Sequence, residues 1–330
     1  MIELDRRRAV ISAAGIIAGG MTTARLLPEE MLLRDRRPRR SRVAIISAER
    51  YSERLDEVLL SSLREFRLNL RGKAVLLKPN LVEYIAGVEV NTKPVLVGAA
   101  AEAFLKLGAR SVVVGEGPGH QRDTYLVLAE SGLADQLHSQ KISFVDLNRD
   151  ELVKVPTRAT YTGLEHLWLP RTVLETDFMV SMPKIKTHHW AGVTLSMKNM
   201  FGVVPGTKYG WPKNVLHWKG IHRSILDICA TAPMHFVIAD GVVAMEGNGP
   251  LHGTHRNLGK MVLADDPVAA DFISARLMGL DPYRVWHLDR AAHFLGNASY
   301  DRIDLIAEGL PQQTVPFDVL PEFTHLQIRA

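Results

Sequence analysis

Cysteine is nearly absent from this 330-residue chain. A single thiol, Cys229, excludes an internal disulfide, a zinc site built on several cysteines and an iron–sulfur cluster bound by this chain alone. Long apolar runs are missing too. Apart from a short N-terminal stretch, none reaches the roughly 18 residues that cross a bilayer. The body also lacks net charge. Of the 40 basic and 36 acidic residues, nine and five fall in residues 1–40, which leaves 31 of each in residues 41–330. The formal +4 therefore belongs to the first forty residues, and a neutral body argues against nucleic acid as a partner. Phosphate-loop motifs are absent as well. Residues 202–208 read G-x3-G-x-K, not G-x4-G-K-[ST], and residues 115–119 (GEGPG) lack a full G-x-G-x-x-G. What remains is ordinary globular composition, 46% hydrophobic and 23% charged.

The N-terminus carries its own pattern. Arg6-Arg7-Arg8 precedes a mildly apolar stretch over 9–21, closed by the small residues Thr22-Thr23-Ala24. Residues 1–24 resemble a twin-arginine export signal, with Asp5 before the arginine pair and Ala9 where phenylalanine is common. Such a segment predicts export to the periplasm by the twin-arginine machinery, with no stable transmembrane span after cleavage. The alternatives are an uncleaved N-terminal membrane anchor and a plain cytosolic arm. Residues 25–41, rich in Arg with Pro28 and Pro38, read as a linker, and 42–330 as a single α/β body.

Within that body, apolar and β-branched runs predict strands over 42–47, 73–77, 111–114, 142–146, 177–181, 236–240, 261–264 and 304–307. Helical spacing predicts helices over 52–68, 94–107, 123–131, 222–230 and 267–278, the last with Asp266 as N-cap and Pro267 at its first position. This alternation implies an α/β fold: a mostly parallel sheet with helices on both faces and a ligand cleft at the carboxyl ends of the strands. Polar or glycine-rich segments directly follow four predicted strands, at 78–80, 115–119, 184–189 and 240–249.

Residues 181–221 hold six lysines and no acid. Lys184 and Lys186, two apart, share one side of an extended segment and suit a phosphate or carboxylate; the alternative is a solvated basic face. A short helix predicted over 194–201 has Thr194 and Ser196 at its start, where free N–H groups add to anion binding, with Lys198 and Asn199 a turn further on. Lys78, Asn80, Thr187 and Lys208 complete the candidate ligand-binding set. Asp240, Glu246 and His188 are the candidate proton-transfer groups. His188, His217 and Asp271 are candidate ligands for a divalent metal, although no spacing here matches a specific metal motif.

Several separated segments resemble one family. Lys78-Pro79-Asn80-Leu81, Met182-Pro183-Lys184-Ile185-Lys186-Thr187-His188, Thr194-x3-Lys198-Asn199-x2-Gly202, Asp240-Gly241, Met245-Glu246-Gly247-x-Gly249-Pro250 and Asp266-Pro267-Val268-Ala269 occur in the order seen in domain of unknown function 362. The likeness covers about residues 74–280. It implies a ligand site at these residues without assigning their individual roles. Some relatives carry iron–sulfur segments, from which this one-cysteine chain departs. Together these readings lead us to expect an exported enzyme acting on a small anionic molecule held by lysines, with a periplasmic binding or cofactor-carrier protein as the alternative.

Overall fold

Alternating apolar runs and amphipathic stripes set the order of elements. The computed structural model describes residues 33–52, 54–119, 123–311 and 314–328; the predicted export signal lies outside them. The first half runs β1 (Ser41–Ser47), α1 (Leu55–Glu65), β2 (Ala74–Pro79), α2 (Pro94–Lys106), β3 (Ser111–Glu116), α3 (Thr124–Glu130), α4 (Leu133–Ser139) and β4 (Ser143–Asp146). A two-stranded hairpin follows, β5 (Leu152–Pro156) and β6 (His166–Pro170), then α5 (Arg171–Glu175). The site-bearing stretch comprises β7 (Phe178–Met182), β8 (Lys184–His188), β9 (Gly192–Thr194), α6 (Ser196–Asn199), α7 (Gly206–Tyr209), α8 (Asn214–Trp218) and α9 (Ile221–Thr231). The chain closes with β10 (Phe236–Glu246), β11 (Thr254–Arg256), β12 (Lys260–Ala264), α10 (Pro267–Leu277), α11 (Trp286–Ala291) and β13 (Ile303–Ala307).

The main sheet has the order β13-β1-β12-β10-β7-β2-β3-β4, with β8 and β11 paired to β10 and β9 to β8. Pairs β2–β3, β3–β4, β2–β7, β7–β10, β8–β10 and β1–β13 are parallel; β12 runs antiparallel to β1 and β10. The fold is thus the expected α/β arrangement, mostly parallel with an antiparallel insertion. Strand alternation divides the core. Val75, Leu77, Val180, Met182, Ile238 and Leu263 meet Leu59, Leu63, Leu96 and Phe104 of α1 and α2. Leu55, Leu59 and Leu63 recur every fourth residue, which turns one stripe of α1 inward. Helix α10 packs on β12, β1 and β10. The Asp266 side chain accepts from Val268 and Ala269 N–H at its start, ahead of Pro267.

Three local readings change. Residues 184–188 form a fully buried strand rather than a loop. Strand β10 does not stop at Asp240 but continues to Glu246. Gly241 is therefore not a turn residue: a Cβ there would stand 2.7 Å from the Lys260 carbonyl oxygen and 2.8 Å from Ile185 Cδ1, so glycine is required by the close approach of neighbouring strands. The expected linker is in part tied down. The Arg36 amide donates to the Phe294 carbonyl, and the Arg40 guanidinium pairs with Asp304 at 2.5 Å.

Candidate functional site

A pocket of about 200 Å³ opens at the carboxyl ends of β2, β3 and β8. Asn80–Val82 follow β2, Gly117–Gly119 follow β3, and His189-Trp190 follow β8; the opposite wall comes from Lys198, Asn199, Phe201, Pro212, Lys213 and His217. This is where the chain leaves a parallel sheet and loops can converge. Four of its groups were expected from the sequence as ligand-binding: Asn80, Lys186, Lys198 and Asn199.

Behind the pocket lies a buried ion pair. Lys78 Nζ donates to Glu116 Oε2 (2.5 Å), Asn199 Oδ1 (3.1 Å) and the Pro79 carbonyl (3.1 Å), which uses all three of its N–H groups. Glu116 also accepts from the amides of Leu81 and Gly117. Burial lowers the Lys78 pKa, and the adjacent carboxylate opposes the shift. The turn at Gly202 presses directly on this pair: a Cβ there would collide with Glu116 Oε1.

The lysines on the pocket itself are served less well. Lys186 Nζ, fully buried, donates to the carbonyls of Val90 (2.7 Å) and Pro250 (3.4 Å). Burial and then the charges of Lys184 and Lys198 push its pKa well down. Lys213 Nζ donates to the Gly117 and Phe201 carbonyls at 2.7 and 2.8 Å, and burial lowers its pKa to about 7. Its backbone is left-handed (φ 67°), unusual for a residue with a Cβ. Lys198 is half-buried over the Phe201 ring (4.4 Å to the centroid), and its amino group makes no hydrogen bond or ion pair among the described residues. Burial and then Lys78 bring its pKa down to about 8. Glu116 is the pocket's one acidic residue among the described lining residues, and Lys78 already neutralises it.

Three histidines share the wall. His188 Nδ1 accepts from the amides of Trp190 (3.0 Å) and Ala191 (3.2 Å), so the neutral ring carries its proton on Nε2. Burial and the charge of Lys198 push its pKa well down. His217 Nδ1 lies 3.1 Å from the Lys213 carbonyl and donates to it; burial, then Lys198, lowers this group to about 4. His189 Nδ1 donates likewise to the Gly249 carbonyl at 2.8 Å.

Other sequence candidates sit elsewhere. Lys184 and Asp240, both fully buried, form a separate knot: Lys184 Nζ donates to Asp240 Oδ2 (2.7 Å), Tyr51 Oη (3.0 Å) and the Val243 carbonyl (3.0 Å), and Tyr51 donates to Asp240 Oδ1 (2.6 Å). Glu246 pairs with Arg256 at 2.7 Å and accepts from the Asp318 amide. Thr187 Oγ1 donates to the Gly247 carbonyl, and Lys208 is exposed over the Trp168 ring. None of these five lines the pocket. Asp271 is also withdrawn. Its oxygens accept from Ser196 N–H, Ser196 Oγ and Met197 N–H, so the start of α6, expected to bind an anion, is already occupied by this carboxylate. His188, His217 and Asp271 therefore do not converge; among the described residues no three His, Cys, Asp or Glu side chains gather as a metal site. Thr194, expected near an anion-binding helix start, lines the pocket, and Lys213 joins it without having been singled out as a ligand group. The only sequence signal for Lys213 was its place in the acid-free lysine stretch.

Comparison with known proteins agrees with the motif reading. A thylakoid-associated protein of Synechocystis sp. is 30% identical over 217 residues, which is 64% of this chain and 64% of that protein. The chain thus spans less than two-thirds of the curated relative's length. Among solved structures, the lactate racemase apoprotein of Thermoanaerobacterium thermosaccharolyticum is similar at 15% identity, over 70% of this chain and 55% of that one, with a TM-score of 0.41. A Thermotoga maritima protein is similar at 12% identity, over 63% and 55% of the two chains, with a TM-score of 0.34. Residues 75–276, more than half of the chain, match the model named Domain of unknown function (DUF362), and the chain belongs to that family.

Proposed function

We propose that the protein is an enzyme acting on a small organic anion, held in the pocket by the charges of Lys198 and Lys213. The observation that carries this reading is Lys198. Its amino group meets no acceptor among the described residues, in a wall whose one carboxylate is already paired. A cation placed so calls for a negatively charged partner. With a pKa near 8, Lys198 is also suited to proton transfer near neutral pH, and its charge is felt by His188 on the same pocket. Leu81, Val82, Trp190, Phe201 and Leu251 supply apolar walls, which favours an organic anion over a bare inorganic one.

The test is a titration of the full chain with acetate and with inorganic phosphate, followed by calorimetry, for the native chain and for Lys198→Met. Saturable acetate binding that weakens strongly in Lys198→Met supports the reading. Absence of binding by either anion sinks it. Exchange of substrate carbon-bound hydrogen with deuterated solvent would mark the enzyme; a tightly bound molecule that co-purifies and never turns over would mark the carrier.

Export is proposed separately, on residues 1–24 alone. N-terminal sequencing of the protein recovered from the extracytoplasmic fraction of its host tests it, and an intact Met1 in the cytosolic fraction overturns it. Among the described residues, no helix is long and apolar enough to cross a membrane.

A further inference from the structure

Two buried polar atoms on the pocket wall lack partners: Asn80 Oδ1 and Thr194 Oγ1. Both residues are more than nine-tenths buried, at 6% and 3% exposure. Buried acceptors and hydroxyls are almost always satisfied, so an orphan on a pocket-lining residue points to a missing partner.

The orientation of the Asn80 amide follows from the buried ion pair behind it. Lys78 Nζ is a donor only, so the group it meets on Asn199 must be the oxygen, at 3.1 Å. Asn199 Nδ2 then faces the Lys78 carbonyl (3.1 Å) and Ser181 Oγ (3.0 Å), both able to accept. The same Asn199 oxygen lies 3.2 Å from Asn80, which must therefore present its Nδ2. What is left without a partner, on a residue that lines the pocket, is Asn80 Oδ1, an acceptor. The chain Lys78 to Asn199 to Asn80 thus fixes a polarity: turning either amide would set oxygen against oxygen, or an N–H against an ammonium.

We infer that the pocket takes a hydroxyl-substituted organic anion: its hydroxyl donates to Asn80 Oδ1 while its carboxylate faces Lys198. This deepens the proposed function and rests on its anion site. A hydroxyl suits the acceptor better than a protonated amine does, because Lys198 and Lys213 line the same pocket and would repel a second cation. Lys78 and Asn199 are positioning residues in this scheme; Asn80 and Lys198 make the polar contacts that the test reads.

The experiment compares glycolate, acetate and glycine as ligands of the full chain by calorimetry and ligand-observed NMR. Glycolate is expected to bind about tenfold more tightly than acetate, the worth of one hydrogen bond to an otherwise orphaned buried acceptor, and glycine no more tightly than acetate. In Asn80→Ala the glycolate-to-acetate ratio is expected to fall toward one. The double variant Lys78→Met/Glu116→Gln, which removes both charges of the pair together, should lower the same ratio with Asn80 in place, which a merely structural role for Lys78 would not do. Should the double variant not fold, the Asn80→Ala ratio decides alone. Equal affinity for glycolate and acetate in the native chain, tighter binding of glycine, or a preference that survives Asn80→Ala overturns the inference while leaving the anion site standing. Failure of both acids to bind removes the anion site and the inference with it.

Discussion

Lys184 and Lys198 come from the same acid-free stretch, yet the fold treats them in opposite ways. Lys184 is sealed at 0% exposure with a carboxylate, a phenol and a carbonyl on its three N–H groups. Lys198 stands half-buried over an aromatic ring with none. The Lys184–Asp240–Tyr51 knot joins β8 and β10 to the segment after β1, and nothing in it is left to offer a ligand. The pocket holds lysines whose partners are neutral carbonyls or nothing. A buried ammonium is thus read by what satisfies it: a full shell marks architecture, and an incomplete one marks a place for something else.

The largest expected effect lies in the sealed knot. Lys184→Met leaves the buried Asp240 carboxylate without its cation, held only by the Tyr51 hydroxyl and the Lys93 amide, and should cost about 3–5 kcal/mol of stability, read by urea unfolding. Lys184→Met/Asp240→Leu should recover much of that loss, since removing both charges spares the unpaired one. If Lys184→Met instead leaves stability unchanged and abolishes acetate binding, the division between knot and pocket is wrong. Next in size is Lys198→Met. A charge-assisted contact with the ligand is worth about 1.5–3 kcal/mol, so anion affinity should fall roughly tenfold to a hundredfold. The free protein should lose no more than about 1 kcal/mol, the worth of the cation–π contact with Phe201, because no internal hydrogen bond of the amino group is lost.

The pH response separates the regions without mutation. Lys198 and Lys213 have folded-state pKa values of about 8 and 7, below that of an unfolded lysine. Anion affinity should therefore be greatest below about pH 7 and decline as pH rises through these values, when the ammonium groups lose their charge. Binding in that window should take up protons, measurable by calorimetry in buffers of different ionisation enthalpy. The sign for stability is opposite. Between the folded pKa values and that of unfolded lysine, the unfolded chain holds more protons, so these two groups make the free protein more stable as pH rises through that interval. A thermal melt that shows the reverse trend there would count against the assigned burial of both.

Much of this was legible in the sequence, for reasons that differ by region. The strands β2, β3, β7 and β12 are apolar runs that admit one reading, and Asp266-Pro267 announces α10 through cap chemistry visible in two letters. That the pocket lies at strand ends followed from the alternation itself. What could not be read was which lysines would be covered. Lys184 and Lys186 sit two apart on β8 and share a side, as expected, but Asp240 lies opposite Lys184 in register and no acid lies opposite Lys186. Only strand pairing decides this. Tyr51 carries no motif at all; it reaches Asp240 across 189 residues of chain. The need for glycine at 241 could not be read from the motif, because a glycine demanded by tight strand packing looks the same in sequence as one demanded by a turn.

The smallest expected effect gives the sharpest contrast, since it concerns a lysine that the sequence grouped with the others. Lys208 is exposed, makes no ion pair among the described residues, and rests 4.5 Å from the centre of the Trp168 ring. A cation–π contact at an exposed site is worth about 0.5–1 kcal/mol, so Lys208→Met should lower stability by no more than that. Its charge lies outside the pocket lining and is screened by salt over about 10 Å at 0.1 M. Acetate affinity at that ionic strength should therefore match the native chain, whereas Lys213→Met, altering a buried group on the pocket wall, should reduce it. Equal losses in the two variants would mean that the field across the whole acid-free surface, rather than the incomplete shells of the pocket lysines, attracts the anion.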